Sequence, residues 1–213
     1  MREKYGSSED RGNRGAIARF MYRAGWIFFR AMFKTFWRLR IIGLQNLPKN
    51  TGVIIAANHT SYSDPPLIGA CITSPIFYFA KKELFDFPLF GWVLRNVNAF
   101  PVDRISADIT AIRTAHRIIK ENKILLMFPQ GGIRMQGDFR FKSGVGILSC
   151  MTGAPVVPCM VLNSDKLTGF KRVVVRFLPP VFPPAGYDRS TYEAIALEAM
   201  ERIKQAITEE NGN

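Results

Sequence analysis

His59 and Asp64 stand in the stretch NHTSYSDP, residues 58–65, directly after the apolar run VIIAA. The chain has only two histidines. An imidazole with a nearby carboxylate is the pair of groups that general-base catalysis uses: one ring nitrogen takes a hydroxyl proton while the acid fixes the tautomer through the other. Five residues of helix turn the chain about 140° round its axis, so the two cannot share a helix face. A turn between the strand VIIAA and the next helix can join them. The competing reading is that Asp64 and Pro65 are only an N-cap and a proline in the first helical turn. The readings are compatible, because a carboxylate has two oxygens and can cap a helix and accept from an imidazole.

Three further blocks place polar or flexible residues at the ends of apolar runs: NAFPVDR at 98–104, ILLMFPQGGIR at 124–134 and APVVPCMV at 154–161. Glycines after a strand let backbone N–H groups approach a ligand closely, which makes Gly131 and Gly132 candidate oxyanion donors. A plain loop is the alternative for such a pair. No GxSxG occurs, and Cys71, Cys150 and Cys159 each sit in apolar surroundings, so a covalent acyl-enzyme is not favoured. The absence of CxxC points away from disulfides and toward a reducing compartment. With His59 and His116 far apart and no HExxH, no metal site is expected.

The elements that must position these groups follow from hydrophobic patterning. Strands are expected at 40–44, 53–57, 76–80, 99–102, 124–128, 156–162 and 172–178. Helices are expected at 65–72, brokenly at 81–96, and at 106–120, 142–151 and 190–208, the last opened by a capping box of Ser190 and Glu193. Such alternation is the signature of an α/β fold, and near-continuous apolar strands such as ILLMF need both faces covered. The expected architecture is a mixed, largely parallel central sheet flanked by helices, over residues 40–213.

The first 39 residues are different. The net charge is +12, and residues 1–50 hold eleven Lys/Arg against three Asp/Glu, +8 of that total. Residues 1–15 are polar and expected to be mobile. From Ala16 to Leu39 the text becomes amphipathic: on a helix, Arg19, Arg23, Arg30, Lys34 and Arg38 fall within an arc of about 100°, with Trp26 and Trp37 at or inside its edge and Phe28 among the apolar residues. Its uncharged runs are too short for a membrane span of ~20 residues or for a signal peptide. A helix lying in the bilayer interface fits, with Arg19, Arg23, Trp26, Phe28, Arg30, Lys34, Trp37 and Arg38 as membrane contacts. An ordinary helix packed on its own domain is the alternative. So many Phe and Met argue against a nucleic-acid arm.

The four blocks, in this order, resemble those of the glycerolipid acyltransferase family, the lysophosphatidic acid acyltransferase-like enzymes. NHxxxxD is matched by Asn58, His59 and Asp64, PVDR by Pro101–Arg104, FPEG by FPQG at 128–131, and a VPV-like strand by Val157, Pro158 and Cys159. The resemblance implies a 1-acylglycerol-3-phosphate O-acyltransferase with no bound cofactor, acting at the cytoplasmic face of a membrane. It implies His59 as the base, Asp64 as its orienting acid, and acyl-CoA or an acyl carrier protein thioester as co-substrate. Arg104 is implied as the phosphate-binding residue, with Gln130, Gly131, Gly132 and Arg134 beside it. Two departures stand out. Gln130 replaces the family glutamate, and Arg134 comes three residues after Gly131 where the family places its Arg two after. A different lysolipid acceptor, or a catalytically impaired membrane-binding relative, are the alternatives they raise.

Overall fold

A computed structural model describes residues 8–103, 108–133 and 141–212 of the 213-residue chain. Seven apolar runs form the strands β1 (Arg40–Ile42), β2 (Val53–Ala57), β3 (Ile76–Lys81), β4 (Ala99–Val102), β5 (Ile124–Met127), β6 (Val156–Leu162) and β7 (Val174–Phe177). They pair in the order β1-β7-β6-β2-β5-β3-β4, and every neighbouring pair is parallel except β6 with β7. The largely parallel α/β sheet expected from the patterning is therefore present. Strands β2 to β6 run in one direction, so their C-terminal ends share one edge of the sheet. That edge is where open α/β sheets bind ligands.

The helices are α1 (Ser8–Phe36), α2 (Asp64–Cys71), α3 (Pro88–Asn96), α4 (Ile109–Lys120), α5 (Gly144–Thr152) and α6 (Arg189–Asn211). They cover both faces. Along β2, Val53, Ile55 and Ala57 join the core under α1 and α2, while Ile54 and Ala56 join the core under α4, α5 and α6. All five are fully buried, which is why the run reads as continuously apolar. The broken stretch at 81–96 resolves into a 3₁₀ turn, Lys82–Phe85, followed by α3. The capping box of α6 is not formed by Ser190 and Glu193. Asp188 is the N-cap and pairs reciprocally with Thr191, because the helix begins at Arg189.

Helix α1 begins at Ser8, ahead of the composition change at Ala16, so the expected mobile stretch falls partly in its first turns and partly outside the described residues. It packs on α2 and α3. Phe29 and Phe33 enter the core with Trp37, and the Tyr22 hydroxyl accepts the Ile76 N–H at 3.0 Å. Three of the residues expected at a membrane turn inward instead. Arg30 donates to the Ala70 carbonyl at 2.8 Å and the Cys71 carbonyl at 3.4 Å. These are carbonyls at the C-terminus of α2, which carry partial negative charge and no helical partner. Trp37 donates to the Leu167 carbonyl at 2.6 Å and stacks on Phe170, and Trp26 is half-buried beside α2. Arg38 lies beyond the helix in a left-handed conformation, φ 46°. Arg19, Arg23, Phe28 and Lys34 remain exposed. No helix among the described residues is long and apolar enough to cross a membrane.

The Arg30→Ala variant separates these two roles. It is expected to lower unfolding stability by about 1.5 kcal/mol or more in urea titration, as loss of a charge-assisted hydrogen bond requires. A purely lipid-facing arginine would leave that stability unchanged.

Candidate active site

The site begins where β2 ends. Asn58, buried, donates from Nδ2 to the Val161 carbonyl at 2.8 Å and accepts the Val161 N–H on Oδ1 at 2.7 Å. Its side chain thus acts as one more strand residue, extending the β2–β6 ladder past Ala57 while the main chain turns away. His59 follows, its ring stacked on Phe128 with centroids 4.0 Å apart. His59 Nδ1 lies 2.8 Å from Asp64 Oδ2. The same oxygen accepts the N–H groups of Thr60 at 2.8 Å and Ser61 at 2.9 Å. An oxygen already accepting two donors requires the imidazole to present Nδ1–H, which leaves Nε2 as the acceptor.

Asp64 is fully buried and is the first residue of α2, with Ser63 as the N-cap. Its carboxylate reaches back into the turn rather than forward onto the helix, so the N-cap reading of Asp64 gives way to turn closure. Oδ1 is buried without a hydrogen-bond partner among the described residues. The turn is tied down again by Thr60 Oγ1 to Ser164 Oγ at 3.0 Å and by the Ser63 hydroxyl donating to the Ser164 carbonyl at 3.2 Å.

From the end of β5, Gln130 Oε1 accepts the backbone N–H of His59 at 2.6 Å, and both residues are buried. The Gly131 N–H closes a turn onto the Phe128 carbonyl at 3.0 Å. It is therefore spent, and of the glycine pair only Gly132 is left as a candidate oxyanion donor. Gly131 has φ 72°, and a Cβ there would stand 3.2 Å from Lys142 Cε, so Lys142 lies against this turn. Arg104 and Arg134 lie outside the described residues.

A cavity of about 280 Å³ lies on the other side of the β5 end, and neither His59 nor Asp64 is among the residues that line it. Phe128 and Met127 of the β5 end, Phe79 of β3, Ile112 of α4 and Val145 and Leu148 of α5 give it apolar walls. Asp103, Asp108 and Lys142 are its polar members. Phe128 belongs both to this wall and to the stack on His59. The cysteines offer no nucleophile: all three are free and buried. Burial pushes the Cys71 thiol up to about 12 despite nearby Arg30, and raises Cys159 well above its ordinary value.

A protein-family model described as Acyltransferase matches residues 38–162. The chain belongs to the acyltransferase family. In this acyltransferase chain the matched region runs from just before β1 to the end of β6, so it contains His59, Asp64 and Gln130 but not α1 or α6. Among curated relatives, the 1-acyl-sn-glycerol-3-phosphate acyltransferase of Bacillus subtilis is 36% identical over 121 residues, 56% of this chain and 60% of that protein. The Streptococcus pneumoniae protein of the same name is 32% identical over 134 residues, 60% of this chain and 49% of its own length. The chain thus matches only about half to three-fifths of these relatives. Among solved structures, the 1-acyl-sn-glycerophosphate acyltransferase PlsC from Thermotoga maritima superposes with a TM-score of 0.71 at 23% identity, covering 100% of this chain and 85% of that one. That likeness shows a shared fold.

Of the site residues expected from the sequence, His59, Asp64 and Gln130 are hydrogen-bonded to one another's backbone or side chains, while Gly131 and Gly132 line the cavity. Asn58 as the clamp and Phe128 as the surface under the ring are not legible in the sequence. Both are first residues of their motifs, but only the pairing of β2 with β6 and β5 gives them partners. Asn58→Ala leaves the N–H and carbonyl of Val161 buried without partners. It is expected to cost about 2 kcal/mol or more of unfolding free energy, and a loss below about 0.5 kcal/mol would show that the clamp carries no load.

Proposed function

We propose that the chain transfers a fatty acyl group from a thioester of coenzyme A or acyl carrier protein to the free hydroxyl of 1-acylglycerol-3-phosphate, giving phosphatidic acid. The observation that carries this reading is the buried His59–Asp64 contact of 2.8 Å, whose imidazole stacks on Phe128, itself part of the wall of an apolar cavity. In the proposed reaction His59 Nε2 takes the proton of the acceptor hydroxyl as its oxygen attacks the thioester carbonyl. Asp64 holds Nδ1–H and balances the imidazolium that forms. The carbon–sulfur bond then breaks, the thiolate leaves, and the proton on His59 passes to it, restoring the neutral imidazole. A thiolate needs less acid assistance than an alkoxide, which suits a site with one histidine. The Gly132 N–H is the candidate donor to the oxyanion. The cavity takes an acyl chain against its Phe, Ile, Val and Leu walls.

Arg104 and Arg134 hold the acceptor phosphate in this reading, because Arg can engage two phosphate oxygens at once. Each follows a segment that lines the cavity, Asp103 and the Gly131–Gly132 turn respectively. Lys142 at the cavity adds a positive charge. The reading places the enzyme on the cytoplasmic face of a membrane. Three free thiols suit a reducing compartment, and the outward side of α1 carries Phe20, Ile27 and Phe28 together with Arg23 and Lys34, all exposed.

Gln130 favours an active enzyme over an impaired relative. What it supplies is a carbonyl oxygen to the His59 N–H, and a glutamate carboxylate supplies an equivalent acceptor.

Incubation with labelled acyl-CoA and acyl carrier protein thioesters and a panel of lysolipids tests the reaction; transfer to none of them would end the proposal. His59→Ala is expected to reduce kcat by about a hundredfold or more with the fold retained. Gln130→Glu is expected to stay close to the parent rate, whereas Gln130→Leu, which cannot accept from His59, loses about tenfold. A large gain in Gln130→Glu would instead mark the parent as impaired.

A further inference from the structure

α3 follows β3 through the 3₁₀ turn Lys82–Phe85, so it starts at the same sheet edge as the His59 turn and the Gly131 turn. Its inner side is fully used. A Cβ on Gly91 would fall 2.6 Å from the Phe85 carbonyl oxygen, so the helix backs directly onto that turn. Leu94 enters a small core with Ala80 and Ala99. This close fit allows α3 only one orientation, and that orientation turns large apolar residues outward. Leu89 is 77% exposed, Trp92 46%, and Phe87 at the helix start 65%. On the His59 turn of the same edge, Tyr62 is 84% exposed.

A folded chain does not ordinarily leave such residues clustered in water, and a patch of this kind marks a contact surface. Its rim carries exposed cations among acids. Lys81 and Lys82 precede it, and Arg95 lies at its far end against the Phe85 ring. Glu83, Asp86 and Asp103 are the nearby acids, and Glu83 is paired with Lys81 at 3.3 Å. An anionic bilayer surface matches both features, because Trp and Phe favour the headgroup boundary while Lys and Arg meet phosphates.

We infer that Phe87, Leu89 and Trp92 form a bilayer-inserting lip, separate from α1, that docks the catalytic edge of the sheet on anionic membrane. This rests on the reading of the protein as an enzyme of bilayer lipids. It accounts for large exposed apolar residues on the sheet edge that also carries the His59 turn. α1 alone could hold the protein on a membrane without aiming that edge at it.

Vesicles of phosphatidylcholine with and without phosphatidylglycerol test the lip with no need for turnover, so a failure here is separable from a failure of the acyl-transfer reading. Phe87→Ser/Leu89→Ser is expected to weaken partition onto the phosphatidylglycerol vesicles by about tenfold or more, with its melting temperature unchanged because both residues are exposed. In a Trp26→Phe/Trp37→Phe background, Trp92 fluorescence is expected to shift blue on the same vesicles and to be quenched by brominated acyl chains. Undiminished partition of the serine variant, or a Trp92 that stays solvent-quenched on vesicles, would overturn the inference. So would a vesicle-free dimer of the parent chain that the serine variant abolishes.

Discussion

A carboxylate with no exposed surface loses its hydration at a cost of several kcal/mol unless nearby donors replace the water. Asp64 meets that demand through one oxygen, which accepts from His59 Nδ1, Thr60 N–H and Ser61 N–H. The three donors are presented together only if the chain between Asn58 and Asp64 makes one tight turn. The conformation of the turn and the orientation of the imidazole are therefore one constraint. The carboxylate that aligns the ring also closes the loop carrying it, and a displaced ring would leave a buried charge short of a donor.

Neighbouring strands hold the turn in register. Asn58 fastens its base to β6 through both atoms of its amide, and Gln130 reaches from the end of β5 to the His59 N–H. Because β2 lies between β6 and β5 in the sheet, the His59 backbone is tethered from both sides by side chains that stand in for strand hydrogen bonds. The imidazole rests on Phe128, a rigid flat surface that needs no water. The acyl-transfer chemistry proposed here needs this preorganisation, since a base displaced by an ångström loses much of its advantage.

Helix α1 divides its residues in a way that composition conceals. Its inner stripe of Tyr22, Phe29 and Phe33 is core, and Arg30 is drawn inward because the carbonyls ending α2 are a better site for its charge than an unsatisfied helix end would be. The basic residues left outside are fewer than the helical wheel suggests. With part of α1 committed to packing, α3 becomes a natural second source of interfacial contact.

The layered α/β fold, its strands and the pairing of His59 with Asp64 were legible in the order of residues. Buried parallel strands must be apolar along their whole length, and the polar residues that interrupt them stand out in the text of the chain. It also exposed the substitution at Gln130, though not its meaning. Tertiary structure alone decided that the Gln130 carbonyl serves His59, that the Gly131 N–H is consumed in its own turn, that Asn58 is a clamp, and that Arg30, Trp26 and Trp37 face the protein. Each of these depends on an atom contributed by a strand, helix or turn elsewhere in the fold. A one-dimensional pattern records which face of an element is apolar, but not which partner that face or its polar neighbours will meet.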